Sequence, residues 1–145
     1  MDIHALHHVS LTTSDLERSR LFYREILQLT EIERPPFSFP GAWFQVGQTQ
    51  QLHLIVCEHP TFRGAKGVDT RDVHFAVRVG NYWSTVEFLR SKGYREDADG
   101  MDLKKMVVNP KAVAGFPQIY ILDPDRHVIE INAATCTRSG EGKAE

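Results

Sequence analysis

Four ionisable residues stand out because each is embedded in an apolar run. They are His8 in "LHHVSL", His53 in "QLHLIV", His74 in "DVHFAV" and Glu130 in "HVIEIN". In a strand, residues i and i+2 point the same way. By that rule His8 faces with Leu6, Ser10 and Thr12, while His7 points to the other side. His74 faces with Asp72, Ala76 and Arg78, and Glu130 faces with Val128 and Asn132. An unpaired carboxylate in such surroundings costs on the order of several kcal/mol, so Glu130 needs a partner. One histidine in an apolar run is ordinarily a core or rim residue. A set of imidazoles with a carboxylate is different, because these are ligands that divalent transition metals take.

The elements that must position this set repeat along the chain. His8 and His74 lie 66 positions apart (74 − 8). At the same offset Asp15 meets Asn81, Phe22 meets Phe88 and Arg24 meets Arg90. Both "HVSLTTSD" and "HFAVRVGN" read as a strand ending on Asp or Asn, residues that cap helices by accepting a bond from a first-turn N–H. In the helix that follows the first, Leu16, Tyr23, Ile26 and Leu27 recur at helical spacing. In the second, Tyr82, Val86 and Leu89 do so, and Gly93 is placed to end it. Strands follow near "QLTEIER", "AWFQVG" and "QLHLIVC" in the first half. In the second half they fall near "YREDA" or "LKKMVVN", then "QIYILD" and "HVIEINA". "GQTQ" and "DPDR" supply turns between them.

Each half therefore reads β-α-β-β-β, an α+β organisation. Residues 1–58 form the first module, 59–71 a linker, 72–136 the second module and 137–145 a flexible polar tail, one domain overall. Two half-sized modules with one sheet each suggest sheets paired around a shared cleft. A pseudo-two-fold axis there brings together His8 and His74 from the first strands with His53 and Glu130 from the last.

Composition narrows the function classes. The chain of 145 residues is 41% hydrophobic and 25% charged, with formal net charge −2. That balance gives no general field toward nucleic acid or membrane, and Arg and Lys are scattered. No segment reaches the apolar length of a membrane span, and "MDIHALHHV" does not read as a signal peptide. Cys57 and Cys136 are too few for a disulfide framework and lack CxxC-type spacing. The expectation is a cytoplasmic protein with reduced thiols.

The segments "LHHVSLTTSDLERSRLFYREIL", "DVHFAV" and "IYILDPDRHVIEIN" resemble the vicinal-oxygen-chelate superfamily. That group includes glyoxalase I, methylmalonyl-CoA epimerase, extradiol dioxygenases, fosfomycin-resistance proteins and bleomycin-binding proteins. The resemblance spans roughly residues 4 to 134. It implies two βαβββ modules forming a cupped mixed β-sheet around a cleft, one divalent metal ion per site, and a homodimer. By motif position His8, His74 and Glu130 match the family's ligands. His53 falls where glyoxalase I-like and epimerase-like members carry Glu or Gln. Two departures are clear: imidazole replaces that side chain at His53, and Arg126 replaces the glycine usual in the "DPDG" turn.

The resemblance further implies a small-molecule substrate bound through neighbouring oxygens, with the metal as Lewis acid. With all four ligands bound, an octahedral ion keeps two open positions, enough for an enediolate in lyase, isomerase or epimerase chemistry. Glu130, the only carboxylate in the set, can then leave the metal and shuttle the proton. With His53 off the metal, a two-histidine-one-carboxylate set leaves room for substrate and dioxygen on Fe(II), and His53 becomes an acid–base residue. A bleomycin-type binding protein without catalysis is the third reading. Zinc, nickel, manganese, cobalt and iron all accept these ligands. Arg78 and Tyr120 are candidate substrate contacts, although Arg78 equally reads as a solvent-directed residue at a strand end. Trp43, Phe44 and Tyr120 read as wall or core residues, with core packing expected for at least two. "PPFSFPG", residues 35–41, reads as a loop that covers the cleft or only connects two strands. His4, His7, His59 and His127 are assigned to the surface or the outer sheet face.

Overall fold

Asp15 and Asn81 open the two helices by the same physics. Each sits in extended backbone and accepts a bond from the N–H three residues on, Arg18 and Ser84 respectively, at 3.0 Å. The computed structural model describes residues 1–57 and 66–138. Its chain divides into two compact units, residues 1–62 and 63–145.

The first unit runs β1 (His8–Thr13), α1 (Leu16–Glu25), β2 (Thr30–Ile32), β3 (Gly41–Val46) and β4 (Gln50–Val56). Its sheet has the order β1-β4-β3-β2, with β1 parallel to β4 and the other pairs antiparallel. The second unit runs β5 (His74–Asn81), α2 (Tyr82–Ser91), β6 (Val107–Asn109), β7 (Gln118–Leu122) and β8 (Val128–Thr135). Its sheet repeats the plan as β5-β8-β7-β6. The architecture is α+β, two βαβββ modules with mixed four-stranded sheets.

Each sheet buries one face against its helix. Ala42, Phe44, Leu52 and Leu54 alternate inward on β3 and β4, and Phe22 and Tyr23 supply the helix side. In the second unit Ile119, Ile121, Ile129 and Ile131 take that face, with Tyr82, Val86 and Leu89 from α2. Burying one such large side chain contributes about 1.5–3 kcal/mol. The residues of opposite parity, including all four candidate ligands, are thereby turned to the other face of each sheet.

The repeat is tighter in space than in sequence. The β-α part recurs at an offset of 66, and the last three strands recur at 77 (120 − 43 and 130 − 53). The difference of 11 residues (77 − 66) is the longer connection from α2 to β6. Gly93, with φ +88°, opens that connection just past α2.

Several expectations need correction. Of the four residues read as the first helix's apolar stripe, only Tyr23 is buried; Leu16, Ile26 and Leu27 are half-buried, and Ser19 and Phe22 complete the inward face. "YREDA" forms no strand, only an isolated bridge between Arg95 and Lys105, and β6 is confined to "VVN". Gly41 begins β3 rather than closing the loop; a Cβ there would lie 2.3 Å from the Leu54 carbonyl oxygen. His59, much of the linker and the end of the tail lie outside the described residues. Among the described residues, no helix is long and apolar enough to cross a membrane.

Candidate functional site

Glu130 lies on β8, opposite Tyr120 of β7 and Ala76 of β5. Its side chain is 7% exposed, so its charge depends on protein donors. Oε1 accepts from Gln118 Nε2 at 3.2 Å and Asn132 Nδ2 at 3.1 Å. Oε2 accepts from the Tyr120 hydroxyl at 3.0 Å. Burial alone would raise this carboxyl. The donors Asn132, Gln118 and Tyr120, with His74, outweigh burial and hold it below the ordinary value. Burial and the neighbouring Glu130 push the Tyr120 phenol up to about 12, so it remains a donor at neutral pH.

His74 begins β5, two residues before the position opposite Glu130. Its Nδ1 is 2.7 Å from the Asp72 carbonyl oxygen. A carbonyl oxygen only accepts, so Nδ1 carries the proton, and in the neutral ring Nε2 is left with a bare lone pair. Nε2 lies 3.3 Å from Glu130 Oε2. A lone pair facing a carboxylate calls for a cation: a proton that makes imidazolium, or a metal ion. Anchoring a histidine through its far nitrogen is how metal-binding imidazoles are oriented. The donor set therefore fits a divalent ion.

The first unit builds the equivalent corner from aromatic rings. His53 of β4 lies opposite Ser10 of β1 and Trp43 of β3. Its ring is stacked between Trp43, at 4.0 Å and 4° between planes, and His8, at 4.3 Å and 15°. His53 Nε2 is 2.8 Å from Gln51 Oε1. Burial, then His8, His7 and Arg34, lower the His53 pKa, which keeps the ring neutral at neutral pH, the form that binds metals. His8 is exposed, and its Nδ1 is 3.0 Å from His7 Nδ1, so one of those two nitrogens donates to the other.

The structure thus brings the four candidates together in two pairs, His8 with His53 and His74 with Glu130. In each, the first residue of the unit's opening strand meets a residue of its closing strand. Within either unit, among the described residues, no group of three or more His, Cys, Asp or Glu side chains converges as a metal cluster.

The other candidates divide. Arg78 donates to the Ala133 carbonyl at 3.1 Å, and its guanidinium lies 4.8 Å from the Phe116 ring centroid. Tyr120 spends its hydroxyl on Glu130, and Phe44 is fully buried in the helix-side core. His127, assigned to the surface or the outer sheet face, is half-buried: its side chain is 14% exposed, and Nδ1 lies 2.8 Å from Oδ2 of the buried Asp123. Arg126 adopts φ +68° in its turn and ties down the carbonyls of Lys66 and Met101. Cys57 and Cys136 are free thiols. Sequence reasoning missed Gln118 and Gln51 as partners of Glu130 and His53. Gln51 is two residues from His53 on the same strand, a signal present in the sequence, whereas Gln118 reaches Glu130 through a cross-strand register readable only once β7 and β8 are paired.

Comparison with known proteins agrees with this architecture. A protein from Arabidopsis thaliana described as "Glyoxylase I 4" is 26% identical over 129 residues, covering 88% of this chain and 69% of that protein. A putative glyoxalase family protein from Bacillus anthracis superposes with TM-score 0.70 at 20% identity, covering 93% of this chain and 98% of that one. A mutant of the fosfomycin resistance protein FosX from Listeria monocytogenes superposes with TM-score 0.66 at 18% identity, covering 92% and 95%. That structure holds Mn(II) and 1S,2S-dihydroxypropylphosphonic acid. The model of the Glyoxalase/Bleomycin resistance protein/Dioxygenase superfamily matches residues 5–131. With nearly the whole chain matched and the βαβββ unit present twice, the chain belongs to the glyoxalase/bleomycin resistance protein/dioxygenase superfamily.

Proposed function

We propose that the chain is a divalent-metal enzyme of the lyase, isomerase or epimerase type. It acts on a small molecule with two neighbouring oxygens, and His8, His53, His74 and Glu130 are the metal's protein ligands. The observation that carries this reading is the position of His74 Nε2, 3.3 Å from Glu130 Oε2, on a ring anchored from behind by the Asp72 carbonyl. A divalent ion bound there supplies Lewis-acid polarisation of the substrate's paired oxygens.

The chain's own residues divide the remaining work. Three neutral imidazoles and one carboxylate bring a single negative charge, so a dication held there would keep a net positive charge to attract an anionic oxygen pair. Gln118 and Asn132 anchor Glu130 through Oε1. Oε2, the oxygen that faces His74 and accepts from the Tyr120 hydroxyl, takes and returns the proton moved on the substrate only when Glu130 is off the metal. Homodimer formation and a cytoplasmic site of action belong to the same reading.

A second reading takes His53 off the metal, favoured by its engagement with Gln51 and its confinement between two rings. His8, His74 and Glu130 then form a two-histidine-one-carboxylate set suited to Fe(II) and dioxygen, and neutral His53 becomes the acid–base residue.

The test is metal content after loading with Mn(II), Zn(II), Ni(II) or Fe(II) and dialysis. Near one ion per chain is expected, falling to background in His74→Ala with Glu130→Gln. An unchanged content in that double variant overturns the assignment. Turnover without oxygen supports the first reading, and oxygen uptake coupled to catechol cleavage supports the second. Ligand binding with neither metal nor turnover makes the chain a binding protein.

A further inference from the structure

The aromatic stack on His53 does not end at Trp43. The Phe37 ring centroid is 6.0 Å from that of Trp43 and 5.2 Å from that of Phe39. Phe37 and Phe39 are 46% and 39% exposed, although both come from the loop that sequence reading could only describe as covering or connecting. The Arg34 guanidinium carbon lies 4.7 Å from the Phe37 ring centroid and 4.9 Å from that of Phe39.

Arg34 is fixed before any ligand arrives. Nη2 donates to the Phe39 carbonyl at 2.9 Å, and Nε packs over Gly41, where a Cβ would come within 3.1 Å of it. Buried Nε has no hydrogen-bond partner, and among the described residues no carboxylate pairs with this guanidinium. An oriented cation with no carboxylate paired to it among the described residues, flanked by exposed rings, is suited to a carboxylate carried on a flat apolar body. The rings between Arg34 and His53 set where that body lies. Phe37 and Trp43 are tilted by 50° rather than stacked, and Trp43 is only half-buried.

We propose that Arg34, Phe37, Phe39 and Trp43 form a recognition subsite for an aromatic or conjugated carboxylate. Its ring lies against Trp43 and Phe37, and its carboxylate meets the Arg34 guanidinium. The inference deepens the proposed function by naming the substrate class, and it rests on the reading that His8 and His53 belong to the site. It also gives the loop at residues 35–40 a role in selecting substrate.

The test follows the indole N–H resonance of Trp43 in ¹⁵N-labelled protein, assigned by its persistence in Trp83→Phe. The probes are 2-naphthoate, 2-naphthamide and acetate, each added to chelator-treated and metal-loaded protein. Saturable shifts with naphthoate, and about tenfold weaker binding of naphthamide and acetate, are expected in both metal states. Arg34→Gln is expected to weaken naphthoate about tenfold without changing naphthamide, and Phe37→Ala to weaken both aromatic probes. The Trp83 resonance and the far-UV spectrum serve as controls for folding. Equal binding of naphthoate and naphthamide, or no shift of Trp43 with either, overturns the subsite. Failure of metal binding alone leaves these shifts in place and counts only against the proposed function.

Discussion

Tyr120→Phe isolates the interaction that fixes the charge of Glu130. The substitution removes one hydroxyl, 3.0 Å from Oε2, and leaves a ring of nearly the same volume, so no cavity opens. A hydrogen bond to a buried charged group contributes about 1.5–3 kcal/mol, against roughly 1 kcal/mol for a neutral pair. Near neutral pH, chelator-treated Tyr120→Phe should therefore lose about 1.5–3 kcal/mol in urea denaturation followed by circular dichroism. Glu130 is held below its ordinary value in the folded chain. Its contribution is thus present above the unfolded carboxylate value and is lost as pH falls through the folded one. As Glu130 protonates, the gap between wild type and variant should shrink to roughly 1 kcal/mol. Repeating the series in a His74→Ala background removes the other ionisable group facing Oε2. A gap below about 0.5 kcal/mol, or one that stays constant down the acid limb, would refute the claim that Tyr120 acts on a charged Glu130.

Substitutions at three further positions probe the supporting scaffold. Arg126 holds φ +68°, which costs about 1–2 kcal/mol for a residue with a Cβ. Arg126→Ala keeps that strain and loses the bonds to Lys66 and Met101, so in the same denaturation assay it should fall below Arg126→Gly by about 1 kcal/mol. Gly41→Ala places a methyl 2.3 Å from the Leu54 carbonyl oxygen and should lower the melting temperature, corresponding to about 1–3 kcal/mol; an unchanged melting temperature would mean that β3 and β4 part easily. Trp43→Ala opens one face of His53 to water, and the His53 pKa, read by NMR titration of its ring proton, should rise toward the ordinary value. No rise would show that burial under Trp43 is not what depresses it.

The helix starts were readable because capping is local: Asp15 and Asn81 act within one turn of themselves. The four candidate ligands were readable because strand alternation and a duplicated plan need only counting. The partners of Glu130 were harder. Gln118 and Tyr120 reach it across the β7–β8 pairing, and that register is fixed by the turn at 123–127, whose αL residue is an arginine rather than glycine. The partner of His127 was hidden for a related reason. The role of His127 comes from Asp123, four residues back across that turn, so strand parity says nothing about it. Short β6 was blurred because three residues carry too little periodicity to stand out from "YREDA" nearby.

The two units use one scaffold for opposite electrostatic ends. Positions 77 apart hold Trp43 and Tyr120, and His53 and Glu130, in matching register. In the first unit the ring at the β3 position stacks on the imidazole, excludes water and favours its neutral form. In the second, the ring at the β7 position turns a hydroxyl to the carboxylate and favours its charged form. Exchanging the rings should therefore harm both corners. Trp43→Tyr shortens the stack over His53, and Tyr120→Trp puts an indole N–H, with different reach, where Oε2 needs a hydroxyl. If the double exchange bound metal as the wild type does, the neutral and charged corners would not depend on these rings. The assignment of Trp43 and Tyr120 as positioning residues would then fall, even with all four candidate ligands intact.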